Sequence, residues 1–282
     1  MTSTARPRAK KALGQHWLTD RRILARIAEA AEIAPGETVI EIGPGTGLLT
    51  EQLAARAGRL IAVEMDDALA LRLQDAYRDA HSVRVLHRDV LEVTPEEILA
   101  EGGGSLPYVV VGNLPYNIGT VIVRRFLRAR VAPRSLVVTL QQEVAERMCA
   151  GPGRMTYLGA ETQVFAEARL LFGVPPRAFR PPPKVRSAVV RLDVRDSPDV
   201  EVDDLDAFLE FLHAGFAAPR KHLRNSLAVG LRSTGAAADA ILAGAGVEPA
   251  QRPADLDLTA WRNIYYAYRT LSRDVDARAR QD

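Results

Sequence analysis

Thr38-Val39-Ile40-Glu41-Ile42-Gly43-Pro44-Gly45-Thr46-Gly47 is the stretch that decides the fold of this 282-residue chain. Its first half is rich in β-branched residues and predicts a strand. Gly43, Gly45 and Gly47 then crowd a short turn, and Leu48 to Ala57 reads as the helix that the turn opens. Glycine tolerates positive φ and lets a backbone come close to a ligand. Strand, glycine loop and helix in that order suit an α/β unit that binds a nucleotide or nucleoside. The spacing G-P-G-T-G is not the G-x-G-x-x-G that favours a pyrophosphate. Alone, the stretch is also readable as a tight turn with no ligand.

Outward from this unit the pattern repeats. Before it, Asp20 caps a helix with Ile23, Leu24, Ile27 and Ala31 on one side, and Pro35-Gly36 ends that helix. After it come a strand at Arg59 to Glu64, a helix at Asp67 to Ala80 and a strand at Val83 to His87. Thr94 and Pro95 are the cap and first position of the next helix. Val109-Val110-Val111-Gly112-Asn113-Leu114-Pro115-Tyr116-Asn117 predicts a fourth strand, buried on both faces, that must turn at Pro115. A helix over 119–129 and a strand at Leu136 to Leu140 follow, then helical segments near 142–149 and 156–166. Strands near 167–173 and 187–194 flank the proline-stiffened loop Val174 to Val185. Such alternation implies an α/β fold, a mainly parallel sheet with an antiparallel edge.

Past Ser197 no strand signal remains. Leu205, Phe208, Leu209, Leu212 and Phe216 make a helical stripe, and 220–231, 236–243 and 259–271 also read as helices. The expected division is a sheet domain at 1–196 with a flexible basic N-terminus, a small all-helical domain at 197–271, and a polar tail at 272–282.

Composition excludes several classes. With 47% hydrophobic and 26% charged residues the chain suits a globular protein. No apolar run approaches the roughly 20 residues that span a bilayer. The basic stretch Met1 to Lys11 lacks the apolar core of a secretory signal. Cys149 is the single cysteine, so no internal disulfide framework is expected, and no Cys/His spacing suggests a metal. A cytoplasmic protein without metal or membrane contact fits best. Net charge is only +2, but cations cluster in 1–22, 118–142 and 169–195. Clusters of this kind suit either a polyanion partner or ordinary solvated faces.

The chemistry-bearing residues fall at successive strand ends. Glu64 lies 21 residues after Gly43, where a carboxylate can accept ribose hydroxyls. Asp89 can accept from an adenine amino group, with Val90 against the ring. NAD and S-adenosylmethionine (AdoMet) both satisfy these features. The turn after the fourth strand separates them: hydride transfer has no use for Asn-x-Pro-Tyr, whereas methyl transfer to a planar amine does. Asn113 can accept from such an amine, and Tyr116 can stack on its base.

These residues resemble the ribosomal RNA adenine N6-dimethyltransferases, and within them the small-subunit (16S) branch. The resemblance rests on Leu13-Gly14-Gln15-His16-Trp17-Leu18, Glu41 to Gly47, Val63-Glu64-Met65-Asp66, Asp89-Val90, Gly112 to Tyr116, Gln141 to Arg147 and Phe179 to Val189. Arg220-Lys221-His222-Leu223-Arg224-Asn225 and Arg252 to Leu256 extend it into the helical region. It implies a Rossmann-like class I AdoMet-dependent methyltransferase fold. The implied reaction places two methyl groups on each of two adjacent adenines near the 3′ end of small-subunit rRNA, in a pre-ribosomal particle, with the enzyme acting as a monomer. His16, Leu18, Gly43, Glu64, Asp89 and Asn113 would then hold AdoMet, with Gly45 in the glycine loop. Asn113 and the Leu114 carbonyl would orient the amine, Tyr116 would stack on the base, and Phe179 would face it. Arg220, Lys221 and Arg224 would grip rRNA.

Three positions depart from the family pattern. His16 stands where Asn is usual, Trp17 where Phe is usual, and Pro219 where another Arg is common. Two other readings share many of these features. One is a large-subunit rRNA methyltransferase conferring antibiotic resistance, which usually shows Ile at the position of Leu114. The other is a non-catalytic RNA-binding assembly factor.

Overall fold

The computed structural model describes residues 15–279, with side chains to residue 272. The expected flexible segment 1–11, the residues Leu13 and Gly14, and the tail end 280–282 lie outside the described residues. The described residues divide into two compact units, one of 15–146 with 166–195, the other of 147–165 with 196–279.

In the first unit, Asp20 caps helix α1 (Arg21–Ala30) by accepting from the N–H groups of Arg22 and Ile23. It follows the short strand β1 (Trp17–Leu18). The sheet begins with β2 (Thr38–Ile42), α2 (Leu48–Ala54), β3 (Arg59–Glu64), α3 (Asp67–Ala76) and β4 (Val83–His87). Helix α4 (Pro95–Gly102) opens with a capping box in which Thr94 and Glu97 satisfy each other's N–H groups. Then come β5 (Tyr108–Asn113), α5 (Gly119–Leu127) and β6 (Ser135–Gln141). Helix α6 (Gln142–Met148) leads into the second unit, where α7 (Tyr157–Phe165) lies. The chain re-enters the first unit as β7 (Ala166–Val174), β8 (Phe179–Arg180) and β9 (Ser187–Val194).

Seven strands form one sheet in the order β4-β3-β2-β5-β6-β9-β7. The first five pair in parallel, and β9 runs antiparallel between β6 and β7. Every residue of β2 is buried. In β5, Tyr108 to Gly112 are buried. Two covered faces explain the unbroken valine run, which alternation would have forbidden. Strand order reverses between β2 and β5, the point where open α/β sheets place their ligands. A second, two-stranded sheet pairs Trp17 with Arg180 and Leu18 with Phe179. Two-residue strands carry no periodicity, so this pairing has no signature in the sequence.

The second unit is helical, with α8 (Leu205–Gly215), α9 (Leu223–Gly230), α10 (Gly235–Ala245) and α11 (Leu258–Ala279). Phe208, Phe211, Leu212, Trp261, Ile264 and Tyr265 are buried in its core. Met155, Ala160 and Val164 belong to the same core, so 147–165 group with these helices and not with the sheet. That departs from the expected boundary at 196, and two further expectations shift here. Helix α9 starts at Leu223, leaving Arg220 and Lys221 in the preceding turn. Helix α11 runs on through residues expected to be tail, as far as Ala279. Among the described residues, no helix is long and apolar enough to cross a membrane.

Candidate active site

Sheet order aligns the site. The C-terminal ends of β4, β3, β2 and β5 stand side by side, so Asp89, Glu64, Gly43 and Asn113 form a row. Three inter-strand steps of about 4.8 Å make that row about 14 Å across. All four residues line one cleft of about 750 Å³, solvent included. His16, Trp17 and Gly45 close one side, while Leu114 and Tyr116 lie with Asn113 at the end of β5.

Gly43 has φ 65° and Gly45 has φ 57°. Both therefore occupy the left-handed region that a Cβ disfavours. A Cβ at Gly43 would project into open space, and one at Gly45 would stand 3.0 Å from Trp17 Cδ1. The loop keeps its backbone clear for a ligand at the first position and lets an indole approach at the second.

Glu64 is buried, with 5% exposure. Its Oε2 accepts the Gly45 N–H at 3.0 Å, and its Oε1 accepts the Asp66 N–H at 2.9 Å. Each oxygen keeps a second lone pair for a hydroxyl. Burial pushes the carboxyl above its ordinary value, and the two N–H groups pull it back. Asp89 is half-buried and accepts the Leu91 N–H at 2.9 Å, which orients its carboxylate at the end of the row.

Asn113 is the most informative residue. Its Nδ2 donates to the His16 carbonyl at 2.8 Å, while its Oδ1 is buried without a partner. A buried amide oxygen left unpaired costs roughly 1–3 kcal/mol, a cost relieved when a donor arrives. Tyr116 shares a hydrogen bond of 2.6 Å with Ser187, and the His16 ring stacks on the Tyr116 ring at 5.6 Å. His16 Nδ1 also lies 2.8 Å from the Pro181 carbonyl.

Two expected site residues stand elsewhere. Phe179 is only 1% exposed, belongs to the core of the first unit and does not line the cleft. Its pairing with Leu18 turns the ring into the apolar interior. Leu18 is also buried in that core and borders a smaller adjoining cavity with Glu41 and Asn113. In the helical unit Arg220 and Lys221 are exposed, whereas Arg224 Nε is held by Asp239 at 2.8 Å.

Sequence reading passed over three participants. Glu41 is 1% exposed with an unpaired Oε2, and burial pushes its carboxyl up to about 8. Its apolar strand neighbours gave the signal, since a lone acid in such a run is either paired or neutral. Trp17 lines the cleft, as its place beside His16 suggested. Ser187 had no signal, because its partner is distant in sequence.

A seven-stranded sheet of this order, with an inserted antiparallel strand and strand-end carboxylates around a glycine loop, defines a class I AdoMet-dependent methyltransferase. The chain belongs to the ribosomal RNA adenine dimethylase family, which matches residues 6–261. A protein of Dehalococcoides mccartyi called ribosomal RNA small subunit methyltransferase A is 40% identical over 93% of this chain and 89% of its own. A protein of the same name from Xanthomonas campestris is 44% identical over 80% of this chain and 86% of its own. The crystal structure of the 23S rRNA methyltransferase ErmE superposes with TM-score 0.70 and 31% identity, over 90% of this chain and 99% of that one. A dimethyladenosine transferase from Plasmodium falciparum superposes with TM-score 0.75 at 22% identity, over 90% and 98% of the two chains, a likeness of fold.

The family implies AdoMet, and the residues present fit it. Open space over Gly43, spare lone pairs on Glu64 and the row ending in Asp89 suit an adenosine joined to an amino-acid chain.

Proposed function

We propose that this chain methylates the N6 amines of two adjacent adenines near the 3′ end of small-subunit rRNA, giving N6,N6-dimethyladenosines during ribosome assembly. One observation carries the reading: the unpaired, buried Oδ1 of Asn113, fixed by the bond from Nδ2 to His16. An exocyclic adenine amine is a weak nucleophile because its lone pair is delocalised into the ring. Acceptance of one of its hydrogens by Asn113, and of the other by the Leu114 carbonyl, favours a pyramidal nitrogen with its lone pair free. AdoMet, when bound, supplies an electrophilic methyl group. Gly43, Gly45, Glu64 and Asp89 would hold it, with His16 contributing from the residue before β1. Orientation of this kind is worth several kcal/mol, on the order of 7 at best. The amine proton becomes acidic as the new bond forms, so water can take it and no strong base is needed.

Stacking on Tyr116 would offset base extrusion, at roughly 1–3 kcal/mol per base. Arg220 and Lys221 would meet phosphates. The protein would work in the cytoplasm as a monomer on a pre-ribosomal particle. Relatives named for the small subunit, at 40% and 44% identity, favour that substrate over large-subunit rRNA, the ErmE likeness being 31%. The test is incubation of labelled AdoMet with under-methylated small subunits and, in parallel, with large subunits, followed by mapping of modified adenines in both rRNAs. Paired label near the 3′ end of 16S rRNA is expected. Label confined to 23S rRNA would move the chain to the resistance enzymes, and RNA binding without transfer would make it an assembly factor.

A further inference from the structure

Tyr116 Oη and Ser187 Oγ lie 2.6 Å apart, although 71 residues separate them. Tyr116 follows the turn at the end of β5, half-buried at the cleft, whereas Ser187 is the first residue of β9 and has no exposed surface. The position of Ser187 is set from both sides, by pairing with Gln141 of β6 and Val174 of β7. The antiparallel strand thus reaches the catalytic turn through one hydroxyl.

A tyrosine ring has two side-chain torsions. An anchor at Oη fixes the direction of the ring axis. The phenolic hydrogen prefers the ring plane, so a bond at Oη also biases rotation about that axis. Stacking contributes only while the two planes stay in van der Waals contact, and each carbon pair loses much of its attraction over a gap of 0.5–1 Å, roughly. The His16 ring already rests on Tyr116, 23° from parallel. Its centroid separation of 5.6 Å is too small for a base between the rings, which needs about 7 Å, two layers of contact. A base stacking on Tyr116 therefore takes its orientation from a ring fixed at the tip.

We propose that Ser187 is a positioning residue for the target adenine, setting the plane of Tyr116 through its hydroxyl. The inference rests on the reading of Tyr116 as the stacking platform. It assigns the antiparallel edge a part in substrate orientation as well as in closing the sheet.

Four variants test it: Tyr116→Ala, Tyr116→Phe, Ser187→Ala, and the double variant Tyr116→Phe with Ser187→Ala. The readouts are kcat and KM for methyl transfer to under-methylated small subunits, with AdoMet affinity and the urea midpoint measured in parallel. Tyr116→Phe and Ser187→Ala remove the same bond from opposite ends. Each should lower kcat/KM for the RNA roughly five- to tenfold, the worth of one hydrogen bond. AdoMet affinity should not change, and the double variant should be no worse than either single. Independent, multiplicative losses would overturn the inference, as would full kcat/KM in Ser187→Ala or Tyr116→Phe beside a crippled Tyr116→Ala. A parallel loss of AdoMet affinity would also overturn it, because the serine would then support the site at large. Should Ser187→Ala not fold, Tyr116→Phe decides alone. Full turnover in Tyr116→Ala sinks the stacking reading itself, a different failure from those.

Discussion

The side-chain amide of Asn113 donates to the main-chain carbonyl of His16 across 2.8 Å, joining β5 to a segment 97 residues earlier. Because Nδ2 is committed there, Oδ1 is the atom left for a ligand, and it has no partner in the structure. The same His16 stacks on Tyr116 and meets the Pro181 carbonyl. One residue near the N-terminus thereby touches the orienting amide, the aromatic and the proline loop.

Asn113→Ala removes both the tether and the acceptor. Methyl transfer should fall about a hundredfold or more, the scale expected when a reacting group is misplaced by an ångström. RNA affinity, which phosphate contacts dominate, should stay within a few-fold of the parent. Single-turnover rates and filter binding on the same RNA separate the two. An unchanged single-turnover rate would remove Asn113 from amine orientation.

Glu41 gives the fold a pH dependence whose sign is fixed by burial. Its carboxyl is pushed from 4.5 to about 8 by desolvation first, with Glu64 adding like-charge repulsion. Between those values the folded chain holds a proton that the unfolded chain has released. The stabilisation is complete below about pH 4.5 and is lost as pH rises toward about 8, at up to about 1.4 kcal/mol per pH unit. Glu41→Gln keeps the shape without the ionisation. Urea titrations from pH 5 to 8 should show a shallower decline in this variant than in the parent, and equal declines would assign the proton to another group.

Glu37 and Arg134 lock the opposite end of the sheet. Arg134 grips both Glu37 oxygens at 2.8 and 2.9 Å, and Oε2 also accepts the Ala34 N–H at 2.9 Å. The Glu37 side chain is 2% exposed and that of Arg134 is 37%. Burial alone would raise the Glu37 carboxyl, but Arg134 and the Ala34 N–H outweigh it and hold it below its ordinary value. Glu37→Ala should cost about 2–3 kcal/mol in urea unfolding. That is less than the roughly 3–5 of a fully buried pair, because water already screens part of Arg134. A loss under 0.5 kcal/mol, roughly the scale of a surface ion pair, would show that the lock contributes little.

The sheet was legible in the residues wherever burial on two faces wrote long β-branched runs, as in Val109-Val110-Val111, and helix starts were legible at Asp20 and Thr94 from capping chemistry. The row of Asp89, Glu64, Gly43 and Asn113 followed from strand ends, which sequence marks well. Phe179 was misplaced because its partner in a two-residue ladder, Leu18, leaves no pattern in sequence. Residues 147–165 were assigned to the wrong unit because a helix pattern shows which face is apolar and not which core receives it. The Ser187 contact lay beyond reach for the same reason, since nothing local links a serine to a tyrosine 71 positions away.

The basic segment around the start of α9 divides into two kinds of cation, and salt dependence distinguishes them. Arg220 and Lys221 are exposed in the turn. Arg224 has its Nε bound to Asp239 of α10, at 2.9 Å from one oxygen and 2.8 Å from the other. Replacing Arg220 and Lys221 together by Ala should weaken RNA binding and flatten the plot of log affinity against log salt by about 1.4–1.8, two phosphate contacts' worth. Arg224→Ala should instead lower the urea stability by up to about 1 kcal/mol, as a partly exposed ion pair does, with the salt slope nearly unchanged. Affinities measured from about 50 to 500 mM salt, a decade, give all three slopes. A parent slope retained by the double variant would place the RNA on another face, and a flattened slope in Arg224→Ala would mean that the RNA displaces Asp239.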